Sequence, residues 1–382
     1  MPSRTLITGG AGFIGSHLAD RLLAAGRDVR VLDNLDPQVH GPLRENGGAA
    51  AAERRPEYLD DRVDLVVGDV RDRAAVDAAL KGCDRVVHLA AAVGVGQSMY
   101  EVERYTDVNN RGTAVLLEAL IERPVESLVV ASSMSVYGEG SYVDRDGDPV
   151  RAAPRPVAQL KQQRWEVLGP GGVPLAPVPT TEAEPTDATS VYALSKFDQE
   201  RLSILLGAAY DIPTVALRFF NVYGPRQALS NPYTGVLAIF ASRLLSGRPP
   251  VIFEDGEQRR DFVSVHDVAA ACELASDKAP ACPGAVLNVG SGRGVTVNQI
   301  AAALAETLDR ADLAPEISNR YRVGDIRHCF ADVSAAKKTL GYAPAVAFAD
   351  GLAELADWLR DRTAEDRVDH ARGQLEARGL VV

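Results

Sequence analysis

The first 33 residues contain the pattern that most restricts what this chain can fold into. A short apolar run at residues 4–8 leads into Gly9, Gly12 and Gly15, and leucines at helical spacing then precede a second apolar run that ends at Asp33. Glycines at this spacing permit a tight turn, close approach of the backbone to a pyrophosphate, and close packing of a helix on a sheet. The pattern therefore predicts a strand, a phosphate-binding turn, a helix whose N-terminus faces the phosphates, and a second parallel strand.

The carboxylate of Asp33 bears on the kind of dinucleotide that this turn would bind. At the end of the second strand it can accept hydrogen bonds from both hydroxyls of the adenosine ribose, and it would repel a 2′-phosphate. Arg30 lies on the same strand, and alternation should place its side chain on the opposite face. Asn34, the next residue, carries no positive charge. The sequence thus favours NAD over NADP.

Predicted strands and helices alternate over most of the 382 residues. Short apolar runs predict further buried strands at residues 64–67, 85–89, 128–131 and 214–219. Helical periodicity predicts helices at residues 73–81, 103–122 and 190–209. This alternation predicts the α/β class: a Rossmann-type doubly wound parallel sheet with a smaller C-terminal α/β substrate domain.

The predicted domain division follows changes in composition. Residues 1–221 are expected to form the NAD-binding Rossmann domain, and residues 222–382 mainly the substrate domain with a charged helical tail. Residues 139–189 hold many prolines and glycines and few periodic apolar positions, so we expect a loop region inserted over the site. Residues 260–278 are expected to return to the first domain, and residues 37–55 to form a loop or irregular helix.

Net charge and cysteine usage argue against several functions. The formal net charge of −11 argues against binding to nucleic acid or to an anionic membrane. No apolar run reaches the roughly 18 residues needed to span a bilayer, and the N-terminus runs into a strand without a signal peptide. The scattered cysteines have no metal-ligand spacing, so we expect no metal site and reduced thiols in the cytoplasm. These are Cys83, Cys272, Cys282 and Cys329.

Tyr192 and Lys196 provide the candidate acid–base chemistry. Residues at this spacing share one face of a helix, so an ammonium would lie beside a phenol. The positive charge favours the phenolate, and the pKa of Tyr192 is therefore expected to fall from about 10 toward the working pH. Ser133 follows the strand at 128–131, at the sheet edge where ligands bind. Together the three side chains would deprotonate an alcohol or sugar hydroxyl.

Several segments resemble those of the extended short-chain dehydrogenases/reductases, in the nucleotide-sugar epimerase and dehydratase superfamily. They occur in the order of that superfamily at residues 8–15, 68–70, 88–91, 132–138, 192–196, 218–225, 260–262 and 324–327. The resemblance implies a Rossmann domain with catalytic NAD, a small C-terminal nucleotide-sugar domain, and the catalytic set of Ser133, Tyr192 and Lys196. It also implies a homodimer formed through the helices at 103–122 and 190–209.

By this resemblance, one set of residues binds the cofactor and a second set binds a nucleotide-diphosphate sugar. The expected cofactor-binding residues are Gly9, Gly12, Phe13, Ile14, Gly15, Asp33, Asn34, Asp69, Val70, Leu89, Ala90, Ala91, Tyr192 and Lys196. The expected substrate-binding residues are Ser133, Met134, Asn221, Arg260 and Arg327. The arginines suit the substrate's phosphates because guanidinium groups donate hydrogen bonds in pairs.

Residues 134 and 135 narrow the expected reaction. Sugar 4,6-dehydratases that resemble this chain carry an Asp-Glu pair just after the catalytic hydroxyl, and uronate decarboxylases carry Glu at the second of these positions. Met134 and Ser135 stand there in this chain. Because neither carboxylate is present, the chemistry that is left is removal and return of hydride, which is epimerisation.

Other segments, at residues 31–41, 96–100, 177–180 and 230–236, resemble the dTDP-L-rhamnose 4-epimerase group. Many members of that group carry Cys-Pro-x-Cys in the insert, where residues 169–172 here are Gly-Pro-Gly-Gly. We therefore expect an NAD-dependent nucleotide-sugar 4-epimerase that acts through a 4-keto intermediate on a dTDP-6-deoxyhexose such as dTDP-L-rhamnose. The alternatives are a UDP-hexose or UDP-uronate 4-epimerase, a nucleotide-sugar 4-ketoreductase and a non-catalytic NAD sensor.

Overall fold

A seven-stranded sheet organises the structure, a computed structural model that describes residues 3–41, 55–228, 235–322, 324–360 and 373–381. In chain order its strands are β1 Arg4–Thr8, β2 Asp28–Asp33, β3 Asp64–Val67, β4 Arg85–His88, β5 Ser127–Ser133, β6 Thr214–Phe219 and β7 Val286–Val289. Across the sheet the order is β3-β2-β1-β4-β5-β6-β7, and every pairing is parallel. The Rossmann-type doubly wound sheet predicted from the sequence is confirmed.

Helices cover both faces of this sheet, because successive residues of each strand point to opposite sides. One hydrophobic cluster packs helices Phe13–Ala24 and Val265–Lys278 on one face. A second cluster packs helices Arg73–Leu80, Gly112–Glu122 and Val191–Ala209 on the other. The chain direction across the sheet reverses between β1 and β4, and the glycine turn that follows β1 lies at this switch point, where open α/β sheets bind ligands.

A smaller second part of the chain has a hydrophobic core of its own. Its core includes Phe240, Leu244, Ile300, Leu304 and Leu355. The remaining helices are Pro37–His40, Val95–Ser98, Val157–Leu160, Val236–Leu245, Val297–Thr307, Ser334–Leu340 and Phe348–Arg360. The short strands pair as Asn221–Tyr223 with Phe262–Ser264, Val251–Ile252 with Glu316–Ile317, and Arg259–Arg260 between Val295–Thr296 and His328–Cys329.

The chain returns to the main sheet later than the sequence indicated. Helix Val265–Lys278 packs against helix Phe13–Ala24, and β7 then adds a seventh strand beside β6. The register pairs Asn288 with Arg218 and Val289 with Phe219. The predicted domain boundary at residue 222 left β7 outside the first domain. The four residues of β7 carry no distinctive motif, so the sequence does not show which strand they pair with.

The predicted helix at 103–122 is helical throughout but not uniform. It consists of an α-helical turn at Val102–Tyr105, a π-helical segment at Thr106–Arg111 and the α-helix Gly112–Glu122. Asn109 lies in the π segment, where its amide donates to the Ala92 carbonyl at 3.1 Å and accepts from the Ala92 N–H at 2.7 Å. This wider turn ties the helix to the loop after β4, a common use of π segments at functional sites.

Residues 139–189 were predicted to be a loop region over the site, and that placement is wrong. The segment builds a three-stranded antiparallel sheet from Pro149–Val150, Ser141–Val143 and Ala176–Val178. Its backbone docks on the chain near residue 328, since Gly140 N–H donates to the His328 carbonyl at 2.9 Å and Thr180 N–H to the Phe330 carbonyl at 2.7 Å. Of its residues, only Thr189 borders the cleft described below.

Some predictions concern residues outside the described ranges. These include most of the predicted loop at 37–55, the resembling segment at 230–236 except its last two residues, and much of the tail. Within the described residues, no helix combines the length and apolar character that crossing a bilayer requires. The same part of the chain holds no cluster of three or more His, Cys, Asp or Glu side chains arranged to bind a metal ion.

Candidate active site

One cleft brings together nearly all of the predicted site residues. It has a volume of about 710 Å³ and lies at the carboxyl edge of the sheet, between the turn after β1 and the second part of the chain. Clefts of this size are typical of cofactor and substrate sites. All of the residues predicted to bind cofactor or substrate are described, and of these only Arg327 does not line the cleft.

The glycine turn has the close contacts that a dinucleotide site requires. Gly9 has a φ of +69°, and a Cβ there would lie 2.8 Å from the Ala90 nitrogen. A Cβ at Gly15 would lie 2.5 Å from the Cα of Gly10, so larger residues would separate helix from turn. Gly12 caps helix Phe13–Ala24 and lines the cleft, and a Cβ there would meet only the Gly9 carbonyl at 3.3 Å. The residues present therefore fit a pyrophosphate held at a helix N-terminus.

Asp33 lies at the end of β2, beside this turn. One carboxylate oxygen accepts from the Ala11 N–H at 3.0 Å, and the other accepts from the Leu35 N–H at 2.9 Å. These bonds orient the carboxylate, and each oxygen keeps a lone pair for a ribose hydroxyl. Arg30 is directed elsewhere, because its guanidinium binds Asp64 at 2.7 Å. This agrees with the prediction that alternation of side chains along the strand places Arg30 and Asp33 on opposite faces.

Asp69 and Val70, which were both expected to bind the cofactor, line the cleft near Asn34. Arg71 donates to both carboxylate oxygens of Asp69, at 2.8 and 2.7 Å, and Asn34 donates at 3.2 Å. These bonds, led by that from Arg71, lower the pKa of Asp69 to about 2. Val70 packs directly on Gly112, because a Cβ added to Gly112 would lie only 2.6 Å from Cγ1 of Val70. The helix that follows the π-helical segment therefore supports this wall of the cleft.

Ser133, Tyr192 and Lys196 all line the cleft. Burial raises the pKa of Tyr192, and a hydrogen bond with Ser133 opposes that increase. The Ser133 hydroxyl also accepts from the Ser135 hydroxyl at 2.9 Å. The sequence-based expectation of a lowered tyrosine pKa is wrong for this arrangement, because removal from water outweighs the hydrogen bond. The phenol is therefore protonated at neutral pH in this structure and acts as a proton donor unless a bound charge lowers its pKa.

Lys196 points into a buried polar network that the sequence did not indicate. The residue is 3% exposed, and its ammonium donates to the Gln199 side-chain oxygen at 2.6 Å. The Gln199 nitrogen donates to the Thr113 hydroxyl at 2.7 Å, which leaves the oxygen facing the ammonium. Burial nevertheless lowers the pKa of Lys196 to about 7. His88 contacts the same Thr113 hydroxyl at 2.9 Å, and burial lowers its pKa to about 3, so this imidazole is neutral.

The helix that carries Tyr192 is anchored by a buried ion pair. Glu200 accepts from Arg218 at 2.9 and 2.7 Å and from the Ser132 hydroxyl at 2.7 Å. At the start of the helix, the Ser98 hydroxyl accepts from the Tyr192 backbone N–H at 3.0 Å. These contacts join the helix to β5, to β6 and to the loop after β4, and they hold its catalytic face against the sheet edge.

Asn221 and Arg260 lie where the sequence placed the substrate phosphates, but both also contact protein groups. The Asn221 amide donates to the Asp261 carbonyl at 2.9 Å, which leaves its oxygen for the cleft. Arg260 donates to the Arg327 carbonyl at 2.9 Å and also to the Ile326 carbonyl. These carbonyls hold the Arg260 guanidinium along the wall of the cleft, and the Asp325 carboxylate lies 3.8 Å from it.

The prediction that Arg327 binds the substrate is wrong in this structure. Arg327 is fully buried, and its guanidinium pairs with Asp255 at 2.7 Å, Glu166 at 2.6 Å and Glu254 at 3.0 Å. Burial would raise the pKa of Glu166, but hydrogen bonds from His328 and Arg327 lower it to about 2. Arg327 thus joins the insert to the second part of the chain.

Three further arginines that the sequence reasoning missed line the cleft, namely Arg104, Arg243 and Arg322. Arg104 pairs with Asp36 and with Glu101, each at 3.0 Å. The Arg322 guanidinium lies 4.7 Å above the Phe253 ring, and Arg243 donates from Nε to the Pro249 carbonyl at 2.8 Å. Arg322 stands two residues before Gly324, just outside the segment that the sequence reasoning matched at 324–327. The matched segment indicated that an arginine of the cleft lies in this region, but the motif itself contains Arg327, and the prediction was made for that residue.

Comparison with protein families gives one match over most of the chain. A model of the NAD dependent epimerase/dehydratase family matches residues 5–158 and 166–290. The gap between the two matched parts falls in the middle of the insert.

Individual relatives agree with this match. The chain is 36% identical to a dTDP-L-rhamnose 4-epimerase of Burkholderia thailandensis, over 93% of this chain and 94% of that protein. It is 33% identical to a UDP-glucose 4-epimerase of Mycolicibacterium smegmatis, over 94% and 99% of the two chains. Among solved structures, a UDP-glucose 4-epimerase of Thermus thermophilus in complex with NAD has a TM-score of 0.71 at 31% identity, covering 94% of this chain and 99% of that one.

Proposed function

Because this chain belongs to the NAD dependent epimerase/dehydratase family, we propose that it inverts C4 of a nucleotide-diphosphate 6-deoxyhexose such as dTDP-L-rhamnose. The family is one of enzymes that use NAD, and the relatives of this chain include nucleotide-sugar 4-epimerases. The observation that carries the proposal is the shared cleft, in which Ser133, Tyr192 and Lys196 face the space beside the glycine turn.

In the proposed reaction, positive charge from bound NAD and from Lys196 would lower the pKa of Tyr192, so that its phenolate takes the proton of the C4 hydroxyl and later returns it. NAD, which the glycine turn and Asp33 would hold, would supply the reversible hydride acceptor that inversion at C4 requires. Ser133 orients the phenol through their hydrogen bond. Lys196 adds positive charge near the site when it is protonated, and Gln199 fixes where that ammonium points.

Side chains beside Ser133 favour simple epimerisation over related chemistry. Met134 and Ser135 line the cleft where a dehydratase would carry an acid and a base. Ser135 uses its hydroxyl to donate to Ser133, so it supports the catalytic hydroxyl and supplies no carboxylate. Relatives with those other activities, a dTDP-glucose 4,6-dehydratase of Actinoplanes and a UDP-N-acetyl-α-D-glucosaminuronate decarboxylase of Bacillus cytotoxicus, are 29% and 28% identical.

A UDP-hexose or UDP-uronate 4-epimerase is the second candidate. It is favoured by the 33% identity to the mycobacterial UDP-glucose 4-epimerase and by the 31% identity to the Thermus structure. The same catalytic groups would serve either substrate, since all of these reactions oxidise and reduce C4.

An assay with a panel of nucleotide sugars tests the proposal. Purified enzyme is incubated with dTDP-L-rhamnose, UDP-glucose or UDP-glucuronate without added cofactor, and the C4 configuration is followed by NMR. We expect inversion of the dTDP sugar, with NAD released on denaturation of the protein. Stoichiometric consumption of added NADH or NADPH would instead identify a ketoreductase, and no turnover of any sugar would support the NAD sensor.

Asp33 is expected to make the protein prefer NAD to NADP by at least about 10²-fold. A 2′-phosphate beside this carboxylate would place like charges a few ångströms apart, which costs on the order of a few kcal/mol at an effective dielectric of about 20. Arg30 cannot compensate, because it is bound to Asp64. Calorimetry on the cofactor-free protein measures both affinities, and Asp33→Ala should reduce the preference by weakening NAD binding. Equal affinity of the unmodified protein for both dinucleotides would contradict this role.

We also propose a homodimer that forms through the helices at Gly112–Glu122 and Val191–Ala209. Leu194 and Leu205 lie on the same side of the second helix and are 53% and 57% exposed. Two large apolar side chains on one helix face are suited to packing against the same face of a second copy. Sedimentation at micromolar concentration should give a dimer, and Leu205→Glu should shift it toward the monomer. A monomeric unmodified protein would contradict the proposal.

A further inference from the structure

We propose that the C-terminal strap, residues 373–381, forms an apolar wall at the sugar end of the cleft and selects sugars with a methyl group at C6 over uronates. This inference rests on the proposed function. Leu375 and Leu380 of the strap both line the cleft. Leu375 is only 7% exposed, although it lies within seven residues of the end of the chain.

One end of the strap lies beside the catalytic tyrosine. Leu375 packs on Gly96, since a Cβ placed there would be 3.3 Å from the leucine Cδ2. Gly96 belongs to the helical turn Val95–Ser98, and the Ser98 hydroxyl binds the backbone N–H of Tyr192. This chain of contacts locates Leu375 at the end of the cleft where C4 chemistry is proposed.

The other end of the strap supports an arginine of the cleft. Val381 forms an antiparallel bridge with Arg322, whose guanidinium stacks on Phe253 at 4.7 Å. Arg322 lines the cleft in the second part of the chain, where a diphosphate would lie. The strap therefore extends from the sugar end toward the phosphate end and fixes the backbone of Arg322.

Two charged side chains hold the strap on both sides of the cleft. Glu376 pairs with Arg320 of the second part of the chain. The Arg378 guanidinium lies 4.3 Å above the ring of Tyr100, in the loop that follows Val95–Ser98. A cation over an aromatic face and an ion pair add modestly to stability, so the strap is held by a set of weak contacts that substitution can release.

The side chains around Leu375 give the wall its chemical character. Val93, Val95 and Met99 all line the cleft near this turn, and they remain 49%, 51% and 41% exposed. An apolar wall can cover a methyl group, whereas a carboxylate pressed against it would lose water without gaining a hydrogen bond. The wall therefore favours a 6-deoxyhexose and disfavours a uronate.

The test compares Leu375→Gln and deletion of residues 373–382 with the unmodified enzyme. For each protein, kcat/KM is measured with dTDP-L-rhamnose, and binding of dTDP-L-rhamnose, UDP-glucose and UDP-glucuronate by calorimetry. Apolar contacts in substrate pockets change discrimination by about 10- to 200-fold. We expect Leu375→Gln to lower kcat/KM for the deoxy sugar by about tenfold, to reduce the preference for the deoxy sugar over the uronate, and to leave the NAD content unchanged.

Val157→Gln serves as the control, because Val157 is 42% exposed and lies outside the cleft. The control should behave like the unmodified protein. If Leu375→Gln and the deletion leave both binding and kcat/KM unchanged, the strap proposal is overturned even though the enzyme is a working epimerase. If the unmodified protein turns over no sugar, the proposed function fails. The ratio of the calorimetric affinities for dTDP-L-rhamnose and UDP-glucuronate, compared between the unmodified protein and the variants, still decides whether the strap selects between these sugars.

Discussion

Tyr192→Phe is expected to lower the epimerisation rate by about 10²-fold or more, the usual scale for a positioned acid–base group. The change removes the only atom of this side chain that can exchange a proton, while the ring still packs edge-on against Tyr105 at 6.4 Å between centroids. The backbone N–H of residue 192 keeps its bond to Ser98 as well. We therefore expect an unchanged thermal midpoint and unchanged NAD content beside the lost activity.

Tyr210→Phe is the matched control, because Tyr210 stands at the end of the same helix and is 46% exposed. The rates of both variants are measured by the NMR assay at saturating substrate. Near-normal turnover by Tyr192→Phe would rule out its proposed role. A loss of activity in both variants would indicate that the substitutions act through the helix and not through the phenol.

Arg327→Met is expected to destabilise the fold by about 3 kcal/mol. Removing one partner of a buried ion pair costs roughly 3–5 kcal/mol, since the remaining charge loses its compensation. The lower figure applies because Glu166 and Asp255 are 40% and 36% exposed and can regain water. Glu254, which is 2% exposed, keeps a second partner in Arg155 at 2.8 Å.

The loss in free energy of unfolding caused by Arg327→Met should depend on pH. Burial already raises the pKa of Glu254, and loss of the neighbouring cation raises it further. A carboxyl with a raised folded-state pKa contributes most stability below its unfolded value of about 4.3, and that contribution is lost as pH rises through the folded value. The variant should therefore be least impaired near pH 4 and most impaired at neutral pH.

Urea unfolding over this pH range measures the effect, with Arg360→Met as the control. Arg360 pairs with Asp357 on an exposed helix face, and both side chains are 65% exposed. Surface pairs contribute about 0–1 kcal/mol, so this control should change little. Equal free energies of unfolding for Arg327→Met and the unmodified protein would show that the buried cluster contributes no net stability.

Local patterns accounted for the correct predictions. Gly9, Gly12, Gly15 and Asp33 lie within one strand-turn-helix-strand unit, so their spacing in sequence determines their spacing in space. Tyr192 and Lys196 occupy adjacent turns of one helix, and Ser133 ends a buried strand. Each of these relations depends on regular secondary structure, whose geometry is known before the fold is.

Long-range packing determined what the sequence could not show. Arg327 matches a substrate-binding motif, yet its partners Glu166 and Glu254 come from two distant segments that only the folded chain brings together. The pKa of Tyr192 likewise depends on how much water the surrounding elements exclude. The strap at 373–381 lines the cleft through contacts with Gly96 and Arg322, which are far from it in sequence. The sequence by itself determined the sheet and placed Ser133, Tyr192 and Lys196 at its carboxyl edge, because those positions follow from local periodicity and motif spacing. The tertiary structure alone decided which arginines line the cleft and which charges are buried, because burial and ion pairing are sums over residues far apart in the chain.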